Sequence, residues 1–303
     1  MVAGSSQSMF SRLISPVNFQ RWLLRLLYGR AGLKPRLVSL TNGDVHCWRG
    51  GAGPPLLLLH GFGASALWQW AAQVRPLAAK HELIIPDLLY FGESRSESGE
   101  WSLEFQAETM AQLLDDLGLE TVDLLGMSYG GLVANRLAGM WPDRVRKLII
   151  VDSPGWEMNW DDHQEMLQRF GVEELHEFLL PTAPEGVRRL INVAWHKPPP
   201  IPGFALRDAF RVLFNVQTEE KKALLSALMD PIQNKDRKME LPTQQTLVLW
   251  GAHDQIFPVE LGKRFHATLG GGAEMAIIEG AGHAPNLEKS AEFNSRVLEF
   301  LQK

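Results

Sequence analysis

The chain has 303 residues, 45% hydrophobic and 21% charged, with a formal net charge of -5. That length supports one large domain, or a core with one insertion, and the composition is that of a globular protein. The acidic balance removes the electrostatic case for nucleic-acid binding, and the single cysteine, Cys47, excludes an internal disulfide framework and fits a reducing compartment.

Residues 1–36 contain no acid; the first is Asp44. Phe19, Trp22, Leu23, Leu26 and Leu27 recur at helical spacing, with Arg21 and Arg25 on another face. This predicts an amphipathic basic helix, too short and too charged to span a bilayer. Three readings fit it: packing on the domain, lying in a membrane interface, or serving as an Arg- and Ser-rich targeting segment. The layout of a secretory signal peptide is absent, so the expected location is cytoplasmic, with peripheral membrane contact through residues 1–36 left open.

Two short strands follow, Leu37–Leu40 and Val45–Trp48, joined around Asn42-Gly43, a strong tight-turn signal. Cys47 reads as a small core residue in the second. Leu56-Leu57-Leu58-Leu59, bounded by turn residues, reads as a central strand buried on both faces. His60-Gly61-Phe62-Gly63 closes it, and His60 reads as a brace for that loop. Trp68 opens the next helix, where it either walls a pocket or packs in the core. Glu82–Leu88 is a strand and Leu103–Leu117 a helix.

The next stretch organises the rest. Val122–Leu125 reads as a buried strand and Leu132–Ala138 as a helix, with Gly126-Met127-Ser128-Tyr129-Gly130-Gly131 between them. A serine on so tight a turn is held away from its own sheet, and its neighbours must be nearly free of side chain for strand and helix to approach. The helix also aims its N-terminal amides at negative charge developing beside Ser128.

Arg144–Asp152 is another strand. From there the alternation stops: helical segments (161–170, 172–180, 185–193, 206–213, 218–229) are punctuated by prolines, and residues 197–202 exclude regular structure. Trp156 and Trp160 are among the large apolar residues of this insert; they form a small helical core, and some of them roof a cavity. The alternation resumes with the strand Thr246–Gly251, then Asp254, the helix Val259–Leu269, the strand Glu274–Ile278, His283 and a closing helix over Ser290–Leu301. The predicted organisation is an amphipathic extension (1–36), a core (37–153 and 241–303) and a helical cap (154–240).

Ser128, Asp254 and His283 each follow a strand, so a parallel sheet brings all three to one edge. With His60-Gly61-Phe62-Gly63, the serine turn, Trp250-Gly251-Ala252-His253-Asp254-Gln255-Ile256-Phe257-Pro258 and Gly282-His283, the chain from about Leu37 onward resembles the α/β hydrolases, in particular their monoacylglycerol-lipase and carboxylesterase-like members. The resemblance implies an α/β class fold with a mostly parallel eight-stranded sheet, flanking helices and an inserted helical cap. It implies a small-molecule ester substrate; the aromatic residues and the basic amphipathic N-terminus favour an apolar acyl chain, and with no zinc-type Cys/His spacing and no phosphate-binding glycine loop no cofactor is expected. Ser128 would be the nucleophile, His283 the base and Asp254 its partner, with Asp152 as a substitute acid. The amides of Phe62 and Tyr129 would bind the oxyanion, and Trp68, Met127, Trp156, Trp160 and Phe257 would line the pocket. His253 and the cap histidines His163, His176 and His196 are expected to stand apart from the chemistry.

One departure is Tyr90, which stands where many relatives place the first glycine of Asp-x-x-Gly-x-Gly-x-Ser. Rival readings are a carbon–carbon bond hydrolase acting on vinylogous diketones and a hydrolase-fold ligand receptor with slow turnover. The first usually carries a Gly-Pro-Gly-type loop, absent from Gly61-Phe62-Gly63-Ala64-Ser65. Epoxide hydrolases and haloalkane dehalogenases need a carboxylate nucleophile, which Ser128 is not.

Overall fold

Apolar runs too short for helices form the middle of one sheet. A computed structural model of the chain describes residues 15–63, 65–233 and 240–303. The first fourteen residues of the predicted extension, Ala64 of the loop after the third strand and residues 234–239 of the predicted cap lie outside the described residues. The strands are β1 (Lys34–Leu40), β2 (Gly43–Gly51), β3 (Pro55–Leu59), β4 (Glu82–Pro86), β5 (Val122–Met127), β6 (Val145–Val151), β7 (Gln245–Gly251) and β8 (Ala273–Ile278). They lie in the order β1-β2-β4-β3-β5-β6-β7-β8. β2 pairs antiparallel with β1 and β4, and every later pairing is parallel. β1 begins three residues earlier than its apolar run, at Lys34-Pro35-Arg36; it is an edge strand, where proline and charge are tolerated.

Alternation along the central strands feeds two cores. Leu57, Leu59, Leu124, Ile150 and Val248 pack with the helices α4 (Leu103–Asp116), α5 (Tyr129–Met140) and α12 (Val259–Leu269) on one face. Leu56, Leu58, Leu125, Ile149 and Leu249 pack on the other. There they meet Tyr28 of α1 (Pro16–Arg30), residues of the short helices α2 (Ala66–Gln69) and α3 (Val74–Ala78), and the closing helix.

Between β6 and β7 the chain runs through α6 (Trp160–Phe170), α7 (Leu175–Leu179), α8 (Pro184–Ala194), α9 (Gly203–Ala209), α10 (Thr218–Ala227) and α11 (Met229–Gln233). An Asn159/Asp162 capping box starts α6, and Gly171, at φ 60°, ends it. The 206–213 segment divides instead of forming one helix: α9 stops at Ala209 and Phe210–Phe214 is a π-turn. The insert's core is not its own. Met166, Phe170 and Phe178 bury themselves with Ile256, which belongs to the loop after β7, and Phe170 stacks on Phe178 at 4.0 Å. A single turn, α13 (Pro285–Glu288), and the longer closing helix α14 (Ser290–Gln302) complete the chain. Among the described residues no helix is long and apolar enough to cross a membrane.

Candidate active site

The turn between β5 and α5 is tight enough that its glycines are obligatory. A Cβ on Gly126 would lie 2.3 Å from the Gly130 carbonyl oxygen, and one on Gly130 would lie 2.4 Å from that of His60. Ser128 sits at φ 52°, a conformation that costs a non-glycine residue roughly 1–3 kcal/mol. Surrounding order holds it there: its N–H donates to Val151 O at 2.9 Å, and its own carbonyl accepts from Gly131 and Leu132.

The parallel sheet delivers the other two groups to the same edge. His283 Nε2 lies 2.9 Å from Ser128 Oγ, and its Nδ1 lies 2.8 Å from Asp254 Oδ2. Asp254 Oδ1 accepts from the amides of Ile256 at 2.8 Å and Phe257 at 3.0 Å, so the carboxylate is fixed at both oxygens. The Phe257 ring meets the imidazole edge-on at 5.6 Å. Serine, imidazole and carboxylate thus form one hydrogen-bonded line, the arrangement that lets an imidazole draw a proton from a hydroxyl.

Asp152, at the end of β6, stands just behind this line. Its Oδ1 accepts from Gly251 N–H at 2.8 Å, while its buried Oδ2 has no partner among the described residues. Burial, then the neighbouring Asp254 charge, push the Asp152 carboxyl well above the usual carboxylate range. That environment favours its protonated form, and the carboxyl that bonds the imidazole is that of Asp254. Ligand atoms of Asp152, Asp254 and His283 lie within 4.8 Å of one another. They could hold a metal ion only by giving up the hydrogen bonds just described.

The loop after β3 runs beside Ser128: a Cβ on Gly61 would lie 3.2 Å from Ser128 Cβ. The rings of Phe62 and Tyr129 meet edge-on at 5.9 Å, and neither backbone N–H has a partner among the described residues. Two unengaged amides, one from this loop and one from the first turn of α5, are what an oxyanion requires. His60 is fully buried and far from base chemistry. Its Nδ1 bonds Gly61 O at 2.8 Å and its Nε2 accepts from Leu88 N–H at 3.0 Å, a brace in the neutral tautomer; burial lowers its pKa. Asp87 pins the neighbouring loops through Ala66 N, Glu93 N and His46. Burial would raise the Asp87 pKa, but the hydrogen bonds it accepts from His46 and from the Glu93 amide outweigh it and hold the carboxyl below its usual range. Tyr90 does adopt the left-handed backbone its position demands, φ 72°, held by its hydroxyl donating to Glu100 O at 3.0 Å and its ring lying on Trp101.

A cavity of about 210 Å³ opens at Ser128 and His283. Phe62, Met127 and Phe257 line it, joined by Met166, Leu175 and Trp195 from the insert. Three expected lining residues do not. Trp68 lines a different cavity, with Arg21, Arg25 and Trp48 beneath α1, because α2 turns that face toward the N-terminal helix. Trp156 and Trp160 line a neighbouring cavity of about 510 Å³ that shares Met166, Leu175 and Phe257 with the space at the serine. The sequence pattern shows where large side chains occur, but not which side of Phe257 they settle on. Gln69, whose Nε2 donates to Met127 Sδ and whose carbonyl accepts from Asn286, was also unmarked, since single polar residues in a short helix carry no motif. His196 stacks on His253 at 3.9 Å, and His163 and His176 lie in the insert; none bonds Ser128.

A family model described as alpha/beta hydrolase fold matches residues 54–290. Lipase 1 of Psychrobacter immobilis is 29% identical over 283 residues, covering 90% of this chain and 85% of that protein. 2-Hydroxymuconate semialdehyde hydrolase of a Pseudomonas strain is 27% identical, covering 83% and 88%. The chain spans only 65% of another relative, the dihydrolipoyllysine-residue acetyltransferase component of an acetoin cleaving system from Pseudomonas putida, 29% identical over 84% of this chain. The crystal structure of a putative lipase from Acinetobacter baumannii superposes with a TM-score of 0.80 at 25% identity, over 93% of this chain and 95% of that one.

Proposed function

The chain belongs to the α/β hydrolase family, and from that premise we propose that it cleaves carboxylic esters by acyl transfer through Ser128. The observation that carries this reading is the unbroken hydrogen-bond line from Ser128 through His283 to Asp254. His283 Nε2 takes the hydroxyl proton as Ser128 Oγ attacks the ester carbonyl, and Asp254 stabilises the imidazolium. The amides of Phe62 and Tyr129 stabilise the tetrahedral oxyanion, about 2.7–4 kcal/mol per donor in measured cases. The imidazolium then protonates the departing alcohol. Water, deprotonated by the same nitrogen, attacks the acyl-serine, and the carboxylic acid leaves.

The lining of the cavity supports a neutral, apolar acyl group, monoacylglycerol-like in character. Its polar side chains are Gln69, Trp195, Ser128 and His283, with no lysine or arginine among them. A second reading has support from the hydroxymuconate semialdehyde hydrolase relative: cleavage of a carbon–carbon bond by the same serine. The substrate named there carries a carboxylate, and a cavity without a cation offers it no partner. We therefore place ester hydrolysis first.

Steady-state hydrolysis of a p-nitrophenyl acyl-ester series, wild type beside Ser128→Ala, tests the proposal. Repeated turnover that the variant loses by about 10⁵–10⁶-fold in kcat is the expected result. Single-turnover behaviour with retained ligand points to a receptor. Absent ester turnover, with cleavage of a 2-hydroxy-6-oxo-dienoate, moves the carbon–carbon reading to the front.

A further inference from the structure

The helix α1 docks on the body of the molecule, but not by its apolar stripe. Ser15 caps it and donates its hydroxyl to Asp208 Oδ2 of α9 at 2.5 Å, and Val17 N–H bonds the same oxygen at 3.0 Å. Farther along, Tyr28 is buried against Trp48 and donates to Ala66 O at 2.8 Å. Val17, Leu24 and Tyr28 therefore serve the core. The stripe faces solvent: Phe19 is 61% exposed and Trp22 56%, with Leu23, Leu26 and Leu27 also exposed. A helix that docks while leaving five large apolar residues in water presents an exposed apolar patch, the mark of an interaction surface.

The surroundings indicate what covers it. Residues 1–36 hold six cations and no acid, in a chain whose net charge is -5. Along the C-terminal half of α1 runs a groove of about 560 Å³ lined by Leu23, Leu26, Leu27, Arg30, Ala31 and Arg75. It has an apolar floor with two guanidinium groups at its rim. Arg30 and Arg75 are exposed, and neither has an ion-pair partner among the described residues. Phe204, one turn before Asp208 on α9, extends the apolar surface onto the insert at 58% exposure. Aromatic and leucine side chains flanked by arginines are the chemistry of the boundary between lipid headgroups and acyl chains. A protein partner would equally accept the leucines, but it would not call for a segment purged of acids.

We propose that α1 is an interfacial anchor for anionic phospholipid bilayers. Phe19, Trp22, Leu23, Leu26 and Leu27 enter the acyl boundary, and Arg30 and Arg75 meet headgroup phosphates. The helix lies in the plane of the surface, since it is too short to cross. This assignment stands whether or not the ester reading does.

Flotation of the full-length protein tests it with two vesicle types, pure phosphatidylcholine and phosphatidylcholine containing phosphatidylglycerol. Wild type is expected to float with the anionic vesicles at least tenfold more than with the neutral ones, with loss at high salt. Phe19→Ser combined with Trp22→Ser removes flotation on both. Arg30→Glu combined with Arg75→Glu removes only the anionic preference. All variants keep wild-type circular dichroism and wild-type turnover of whatever soluble substrate the protein is found to cleave. Wild type that fails to float, or a Phe19/Trp22 variant that floats equally well, overturns the proposal. So does a concentration-dependent dimer in ultracentrifugation that the same variant abolishes without any effect of vesicles, which assigns the face to a second copy of the chain.

Discussion

Two aspartates stand within reach of the same imidazole, and their environments separate them. Asp254 accepts two amides and the His283 ring; Asp152 accepts one amide, and burial and then the Asp254 charge push its carboxyl well above the usual carboxylate range. Asp254→Asn is therefore expected to lower kcat on an ester by about 10⁴, because an amide cannot orient the same imidazole tautomer. Asp152→Asn is a near-isosteric change at a carboxyl that does not bond the imidazole and should leave kcat within about threefold. Its effect on stability has a definite sign. A carboxyl whose folded pKa is raised loses stability as pH climbs above its unfolded value near 3.8, since the folded state keeps a proton that the unfolded chain releases. The amide removes that loss, so the melting temperature at pH 8 should match or exceed wild type. Kinetics and thermal melts on both variants decide it; equal kinetic damage at the two positions overturns the assignment. Ser128, Asp254 and His283 are legible because each follows a strand with a clear apolar run; Asp152 does so too, and it is the resemblance to the family's chain order that favours Asp254 over it. The surroundings that raise the Asp152 pKa depend on β6 pairing with β7, which brings its side chain to Gly251, and no local pattern records that register.

At the scale of elements, the partition between two cavities rests on α6, α7 and one loop. Met166, Leu175 and Phe257 line both the 210 Å³ space at the serine and the 510 Å³ space beyond it. Truncating two of these shared side chains by Met166→Ala with Phe257→Ala should enlarge the opening between the two spaces. The optimum of an acyl-ester series is then expected to move to longer chains, while turnover of the acetyl ester falls no more than about tenfold. Trp160→Ala, which enlarges only the far cavity, should leave the short-ester kinetics unchanged. The truncations cost stability, below the roughly 3–5 kcal/mol of a fully buried Phe→Ala at Phe257, since that ring is half-buried. An unshifted optimum in the double variant would show that the acyl chain leaves by another route. The existence of the inserted helices was legible from the break in alternation and from the proline run. Their assignment to one cavity or the other was not, because an amphipathic helix reports that it has a buried face and not what that face meets.

For the molecule as a whole, three buried histidines govern acid stability. Burial lowers the pKa of His60, His81 and His163 below the ordinary 6.5. As pH falls through 6.5 the unfolded chain takes up protons that the folded one refuses, so stability declines with acidification, by up to about 1.4 kcal/mol per pH unit for each group. Asp87, depressed in the folded state, adds a further loss as pH drops below 3.8. Asp152, whose raised pKa restores stability on acidification, offsets part of this loss, but three lowered histidines outnumber it, so melting temperature is expected to fall from pH 6.5 to 5. His163→Gln, placed in the insert away from Ser128, should flatten that slope without changing its direction. A melting temperature independent of pH over this interval would show that these rings protonate freely in the native state.

The shared burial of Ile256 with Met166, Phe170 and Phe178 bears on how such proteins can be recombined. Ile256 and Phe257 supply the amides that clamp Asp254, and the same two residues pack against the inserted helices. The insert is therefore not a detachable module. A chimera that exchanges residues 154–240 for those of a relative would transplant a foreign packing surface onto the loop that aims the acid. Such a graft should recover activity only when the loop after β7 travels with it, and the natural unit of exchange is the helical insert together with that loop.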